Sequence, residues 1–272
     1  MFYMDQDTIQ KYINGASASQ LARELNTYTQ KVLNFLQKNG IKTRDESEAK
    51  MRYKIDSNMF EKIDSNDKAY FLGWLFSDGN VYLGAKRHTI SLTLVESDKC
   101  ILDYLNDKIC DPPKKLAYKK ERIKIKGDKK YICKPCYKLQ IDNKKMCFDL
   151  IALGCIPRKS KSLKFPTYEI VPEQYFSSFL RGYFDGDGGV SKISGSRRVI
   201  ISIDGSENFC TSLYEFFKTK LNITCGICFQ NGCFRVSFSS RESVLKFYNY
   251  IYKNSEFSLE RKRRKIEASL TL

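Results

Sequence analysis

Two aspartates occupy matching places in a segment that the chain contains twice. FLGWLFSDG (71–79) and LRGYFDGDG (180–188) align at an offset of 109 residues, which brings Gly73 onto Gly182, Asp78 onto Asp187 and Gly79 onto Gly188. Small residues recur four apart in each copy, Gly73 with Ser77 and Gly182 with Gly186. Positions i and i+4 share a helix face, and small side chains there let two backbones approach closely. The spacing predicts two motif helices packed side by side, each ending in Asp-Gly. The glycine suits a left-handed helix terminus. The aspartate suits its place badly, because the negative end of the helix dipole costs about 0.3–1 kcal/mol per carboxylate. Two such acids drawn together repel unless something neutralises them, and divalent metal ions do so. Metal held by paired carboxylates can activate a water, neutralise a phosphate and stabilise a leaving oxygen. That is the chemistry of phosphodiester hydrolysis.

The rest of the composition agrees with it. His88 is the one histidine, so sites built from several histidines are excluded. Its setting, Lys86-Arg87-His88, is a poor place for a buried Ser-His-Asp triad. The net charge of +16 points to a polyanionic partner, most simply nucleic acid. With 42% hydrophobic residues the chain can bury a core, which excludes wholesale disorder. No apolar run approaches the ~20 residues of a membrane span, and MFYMDQDTIQ lacks a signal-peptide pattern. Ten cysteines without such a signal read as thiols of a reducing compartment, cytoplasmic or nucleoid-associated. Cys133-x2-Cys136 and Cys225-x2-Cys228, with Cys233, have zinc-like spacing, but they lie far apart and in or beside strands. They read as buried or incidental thiols.

The elements that position the acids also repeat. SLTLVESDKCILDYLNDKI (91–109) lies over IISIDGSENFCTSLYEFFK (200–218) at the same offset, and YKLQIDNKKMCFDLI (137–151) over FRVSFSSRESVLKFY (234–248) at an offset of 97. Each copy reads helix, two strands, helix, two strands, helix. Such self-similarity indicates two halves about a pseudo-twofold axis, residues 67–165 and 166–272. The second copy is 12 residues shorter around a basic hairpin. Between Lys114 and Lys138 there are eleven Lys/Arg against Glu121 and Asp128. There Ile123 and Ile125 alternate with Arg122, Lys124 and Lys126, and further on Tyr137, Leu139 and Ile141 alternate with Lys138. Period-2 alternation puts the basic set on one face, which suits a DNA groove. Arg235 takes the place of Lys138 in the second copy.

Residues 1–48 read as a separate all-α unit, with a linker at 49–66. Ile9, Tyr12 and Ile13 mark a first helix stopped by Asn14-Gly15, and Ser17 or Ser19 caps a second, SQLARELN. After the turn Thr27-Tyr28-Thr29, a third helix carries Val32, Leu33 and Leu36 inward and ends at Asn39-Gly40. This is a helix-turn-helix pattern, with Thr29, Gln30, Lys31 and Asn34 facing outward to read DNA.

FLGWLFSDG and LRGYFDGDG resemble the two signature motifs of the single-chain LAGLIDADG homing endonucleases, over about residues 67–272. The resemblance implies an α+β fold of two pseudo-symmetric αββαββα repeats forming a DNA-binding β-saddle. It implies a monomer that cuts both strands of a long specific DNA site, with Mg²⁺ (or Mn²⁺). By resemblance Asp78 and Asp187 bind the metal, helped by the carbonyls of Ser77 and Gly186. A basic residue after the last helix of each repeat is implied as Lys159 (or Lys161) and Lys262. Asp204 matches the polar residue that orients the water, whereas Val95 stands there in the first repeat. Phe76 replaces the motif's earlier Asp, which Asp185 keeps, so the two strand-cutting centres are expected to differ in strength. A non-cleaving DNA-binding regulator and an RNA-splicing maturase are the alternatives on this fold. Two acids retained at helix C-termini argue against a pure binder.

Overall fold

The structure, a computed structural model, describes residues 4–14, 16–43, 53–126, 129–196 and 198–271. It divides into two units, Met1–Lys54 and Ile55–Leu272. No helix among the described residues is long and apolar enough to cross a membrane.

The first unit is three helices, α1 (Gln6–Ile13), α2 (Ala18–Glu24) and α3 (Thr29–Lys38). Asp5 and Thr8 cap α1 reciprocally, and Ser17, not Ser19, accepts from Gln20 N to cap α2. Gly15 lies outside the described residues. Residues 25–28 form the turn between α2 and α3, and Asn26 takes φ +49° there. Ile9, Tyr12, Leu21, Ala22, Val32 and Leu36 form the unit's own core.

In the second unit the first repeat runs α4 (Asn66–Ser77), β1 (Gly79–Leu83), β2 (His88–Val95), α5 (Lys99–Ile109), β3 (Ala117–Lys119), β4 (Arg122–Lys126), β5 (Lys129–Cys133), β6 (Cys136–Asp142) and α6 (Lys144–Ala152). The second runs α7 (Glu173–Asp187), β7 (Gly188–Lys192), β8 (Val199–Gly205), α8 (Glu207–Lys220), β9 (Gly226–Gln230), β10 (Cys233–Phe238) and α9 (Arg241–Tyr252), followed by α10 (Glu260–Leu270). Each repeat builds one antiparallel four-stranded sheet, in the orders β1-β2-β6-β3 and β7-β8-β10-β9. The sheets match strand for strand. The 12-residue excess of the first repeat is the hairpin β4-β5, which forms a two-stranded sheet of its own.

That hairpin stands apart from the four-stranded sheet. The register puts Ile123 opposite Ile132 and Ile125 opposite Lys130 on one face of the ribbon, with Tyr131 opposite Lys124 on the other. Ile123, Ile125 and Ile132 on the first of these faces are 66%, 71% and 70% exposed. The linker expectation is corrected. Residues 44–52 lie outside the described ones, but Met59, Phe60 and Ile63 are buried, and Phe60 sits with Leu75, Leu92, Leu105 and Met146 in the core of the first repeat. Apolar residues in a charged stretch anchor it in that core.

The motif helices form the joint. Residues 69–76 of α4 are buried on every face, as a helix apolar all round must be. Gly73 lies against Gly182, and Ser77 against Gly186, so the two helices run in the same direction. A Cβ at Gly73 would meet Phe179 O and Tyr183 N, and one at Gly182 would overlap Tyr70 O. The small-residue face therefore does what its spacing predicts. The Asp-Gly glycines do not. Gly79 and Gly188 open β1 and β7 directly, and Gly188 is extended at φ −84°, ψ 153°. They are glycine because a Cβ would strike the backbone of Leu75 or Phe184 one turn earlier, not because the chain turns left-handed.

Candidate active site at the paired helix ends

Asp78 closes α4 and Asp187 is the last residue of α7, so the parallel packing of the helices carries both acids to one end of the joint. Both remain open to solvent on one side. The protein around Asp187 desolvates it, and with the repulsion of Asp78 this pushes its carboxyl up to about 7. Asp78 is raised by the same desolvation, while Lys262 and Lys159 pull it back. The repulsion expected of two acids at neighbouring helix ends is therefore present.

Two buried lysines answer it. Lys159 lies in a short 3₁₀ turn (Lys159–Lys161) and donates to Gly79 O. Lys262, in the first turn of α10, shares its ammonium among Phe184 O, Asp185 O, Gly186 O and Gly188 O. Both are under a tenth exposed, and Lys161 is exposed. Of the two lysines offered by the first repeat, Lys159 thus takes the site. The Lys262 ammonium caps the negative end of α7, while Lys159 binds just beyond the end of α4, and both charges lower the cost of the acids there. Burial brings Lys262 down to about 8, against the raising effect of Asp185, Asp78 and Asp187.

Other residues at this end were less legible in the sequence. Asp185 is fully buried and accepts from Tyr70 Oη at 2.8 Å, Tyr252 Oη at 2.7 Å and Leu259 N at 2.8 Å. Burial raises its carboxyl despite these donors. It is a tie between repeats, not a metal ligand. Phe76 at the matching place packs edge-on against Phe179 with centroids 5.2 Å apart. Asp204, on β8, adds a smaller upward push to Asp187. Both its oxygens are held by its cross-strand partner Arg235, at 2.6 and 2.8 Å. Arg235, read as a DNA contact, therefore spends its guanidinium on Asp204. In the first repeat the residues opposed at the place of Asp204 are Val95 and Cys136, so neither charge is present there. Asp98, just after β2, is 4% exposed and accepts from Arg261 at 2.8 and 2.7 Å. Burial works to raise Asp98, but the bonds and charge of Arg261 hold it low. Neither residue stood out in the sequence, although Arg-Lys recurs at 158–159 and 261–262.

The donor set fits a hard divalent cation. Asp78 and Asp187 offer carboxylate oxygens, and Ser77 and Gly186 offer carbonyls, although Gly186 O also accepts from Lys262 at 3.0 Å. Among the described residues no group of three or more His, Cys, Asp or Glu converges. One or two carboxylates completed by phosphate and water oxygens is how Mg²⁺ is commonly held. Thr29, Gln30, Lys31 and Asn34 are exposed on α3, with Gln30 donating to Asn34 at 2.9 Å. Arg122 is exposed on the hairpin. Lys138 is half-buried and donates to Gln140 at 2.8 Å. The side chains of Lys124 and Lys126 lie outside the described residues.

Comparison with known proteins places this arrangement. Residues 175–252 match the family model of the LAGLIDADG-like domain. No curated protein sequence matches the chain. Among solved structures, the homing endonuclease I-WcaI bound to its DNA recognition sequence is 14% identical, covers 74% of this chain and 87% of its own, and superposes with a TM-score of 0.54. I-DmoI in complex with DNA and Mn is 16% identical over 74% of this chain and all of its own, at 0.43. Full-length DUF199/WhiA from Thermatoga maritima is 16% identical over 80% and 68%, at 0.40. Residues 175–252 of the second repeat are a LAGLIDADG-like domain, and the fold built from the two repeats is like that of the homing endonuclease I-WcaI.

Proposed function

We propose that the chain is a site-specific endonuclease that hydrolyses both strands of duplex DNA with a divalent metal, Mg²⁺ or Mn²⁺. The observation that carries this reading is the pair Asp78 and Asp187, solvent-accessible at adjoining helix ends and mutually repelling. A protein that only bound DNA would gain nothing from that repulsion. Metal bound there would supply an activated water and neutralise phosphate charge. The chain's own residues do the rest. Asp78 and Asp187 would hold that metal from opposite repeats, with the Ser77 and Gly186 carbonyls to assist. Lys159 and Lys262 keep positive charge beside the developing phosphate charge. Asp204 orients water at the second centre, with Arg235 fixing its rotamer. The sheets and the basic hairpin meet the DNA, and the helix-turn-helix of the first unit extends the bound site. The structural match to I-WcaI, which was solved on its DNA recognition sequence, supports the reading.

The test starts from a pool of random-sequence duplexes, from which bound DNA is selected in Ca²⁺ and then challenged with Mg²⁺. The expected outcome is double-strand cleavage of the selected site. Asp78→Asn and Asp187→Asn should each reduce cleavage by at least ~10²-fold while retaining metal-free binding. A wild type that binds a selected site tightly and never cuts it would sink the proposal and leave a DNA-binding regulator. Tighter binding to a parallel random RNA pool than to the DNA pool would favour a splicing helper.

A further inference from the structure

The two lysines at the helix ends are held differently. Arg261 precedes Lys262, crosses to the first repeat and grips Asp98 through both guanidinium arms, at 2.8 and 2.7 Å. Asp98 is buried and also accepts from Ser97 Oγ at 3.0 Å, so the receiving carboxylate is fixed. A bidentate guanidinium–carboxylate pair sets direction as well as distance. Because Arg261 and Lys262 are adjacent in the first turn of α10, fixing one fixes the other's backbone. The pseudo-twofold relation predicts a second pair. Arg158 precedes Lys159 as Arg261 precedes Lys262, and Ser206-Glu207 lies over Ser97-Asp98 at the offset of 109. That pair is not made. Arg158 is exposed with φ +57°, Glu207 is exposed in the first turn of α8, and no ion pair joins them among the described residues.

We propose that Asp98 and Arg261 are positioning residues for one cutting centre only: the clamp from the first repeat fixes Lys262 at the end of α7, and Lys159 at the end of α4 has no counterpart. The proposal rests on the endonuclease reading. It deepens that reading by assigning the unequal strength of the two centres to a named ion pair between repeats. Both arms of the clamp that the structure shows are spent within the protein, Arg261 on Asp98, so its loss acts through the placement of Lys262. A misplacement of about 1 Å can cost on the order of 10²-fold in rate.

The experiment uses the full chain and the selected duplex carried on a supercoiled plasmid, with each strand end-labelled in a parallel linear substrate. Strand-specific nicking rates are measured at saturating protein, alongside duplex binding in Ca²⁺ and thermal melting. Asp98→Asn should slow one strand about 10–100-fold and leave the other within about twofold, with binding unchanged. Asp98→Glu, which keeps the pair, should restore most of the lost rate. Glu207→Gln should leave both strands unchanged. A global loss of folding would slow both strands and lower binding together, which separates it from the clamp. Equal slowing of both strands by Asp98→Asn in a chain that melts like the wild type overturns the proposal, as does no slowing of either. If the wild type cuts neither strand, the endonuclease reading itself has failed.

Discussion

The Tyr70 hydroxyl donates to Asp185 Oδ2 at 2.8 Å, so the motif helix of one repeat satisfies the buried acid of the other. Tyr252 Oη and Leu259 N complete the acid's shell. Asp185→Ala would leave three donors unpaired in an apolar interior. The expected loss of unfolding free energy is about 3–5 kcal/mol, measured by urea denaturation. Tyr70→Phe removes one donor of the three and should cost about 1–3 kcal/mol. Equal and small effects from both would mean that the acid is hydrated in solution.

Gly182→Ala tests the joint itself. The added methyl would overlap the backbone oxygen of Tyr70, which cannot move without shifting the whole of α4. Overpacking of this kind costs about 1–3 kcal/mol. At about 2–4 °C per kcal/mol for a chain of this size, a melting scan resolves it. The same change at Gly232, where nothing lies within 4 Å but φ is +83°, acts only through local backbone strain and should cost less.

Much of this joint was legible beforehand. Gly73, Ser77, Gly182 and Gly186 announce close helix packing by spacing alone, and Asp78 and Asp187 follow from the repeat. What the sequence hid depends on contacts across the fold. Whether an Asp-Gly glycine turns left-handed or clears a backbone one turn earlier is decided by the strand that follows, and Gly188 proved to be extended. Arg235 looks like any basic residue on a DNA-facing strand until the register puts Asp204 opposite it. The Ile123 and Ile125 alternation correctly marks one face of a ribbon, but alternation does not say whether anything covers that face.

The acids also predict a pH dependence. Asp187 titrates at about 7 in the folded protein and at its ordinary value of 3.8 when unfolded. Between those values the folded state holds the extra proton, so stability falls as pH rises from about 4 to 7. Asp78 and Asp185 are raised as well and act in the same direction. Metal-free protein should therefore melt a few degrees lower at pH 8 than at pH 5.5, roughly 2–4 °C. Asp187→Asn should flatten that slope. Saturating Mg²⁺ should flatten it too, because the metal takes the proton's place and binds more tightly as pH rises. A melting temperature that climbs over this range in the metal-free wild type would contradict the placement of the two acids.

The hairpin β4-β5 offers the sharpest test of how the chain meets DNA. It is an insertion between β3 and β6 that the second repeat lacks, and it pairs with no strand of the four-stranded sheet. Replacing residues 122–133 with a short turn should therefore leave folding intact. The segment removes five basic residues, Arg122, Lys124, Lys126, Lys129 and Lys130. Each phosphate contact contributes about −0.9 to the slope of log affinity against log salt concentration. If the hairpin lies on the duplex, the shortened chain should lose roughly 3–5 units of that slope, measured between 50 and 200 mM salt. Cleavage should persist at higher protein concentration, since Asp78, Asp187, Lys159 and Lys262 all lie outside the segment. An unchanged slope in a folded, shortened chain would turn the hairpin's basic face away from DNA.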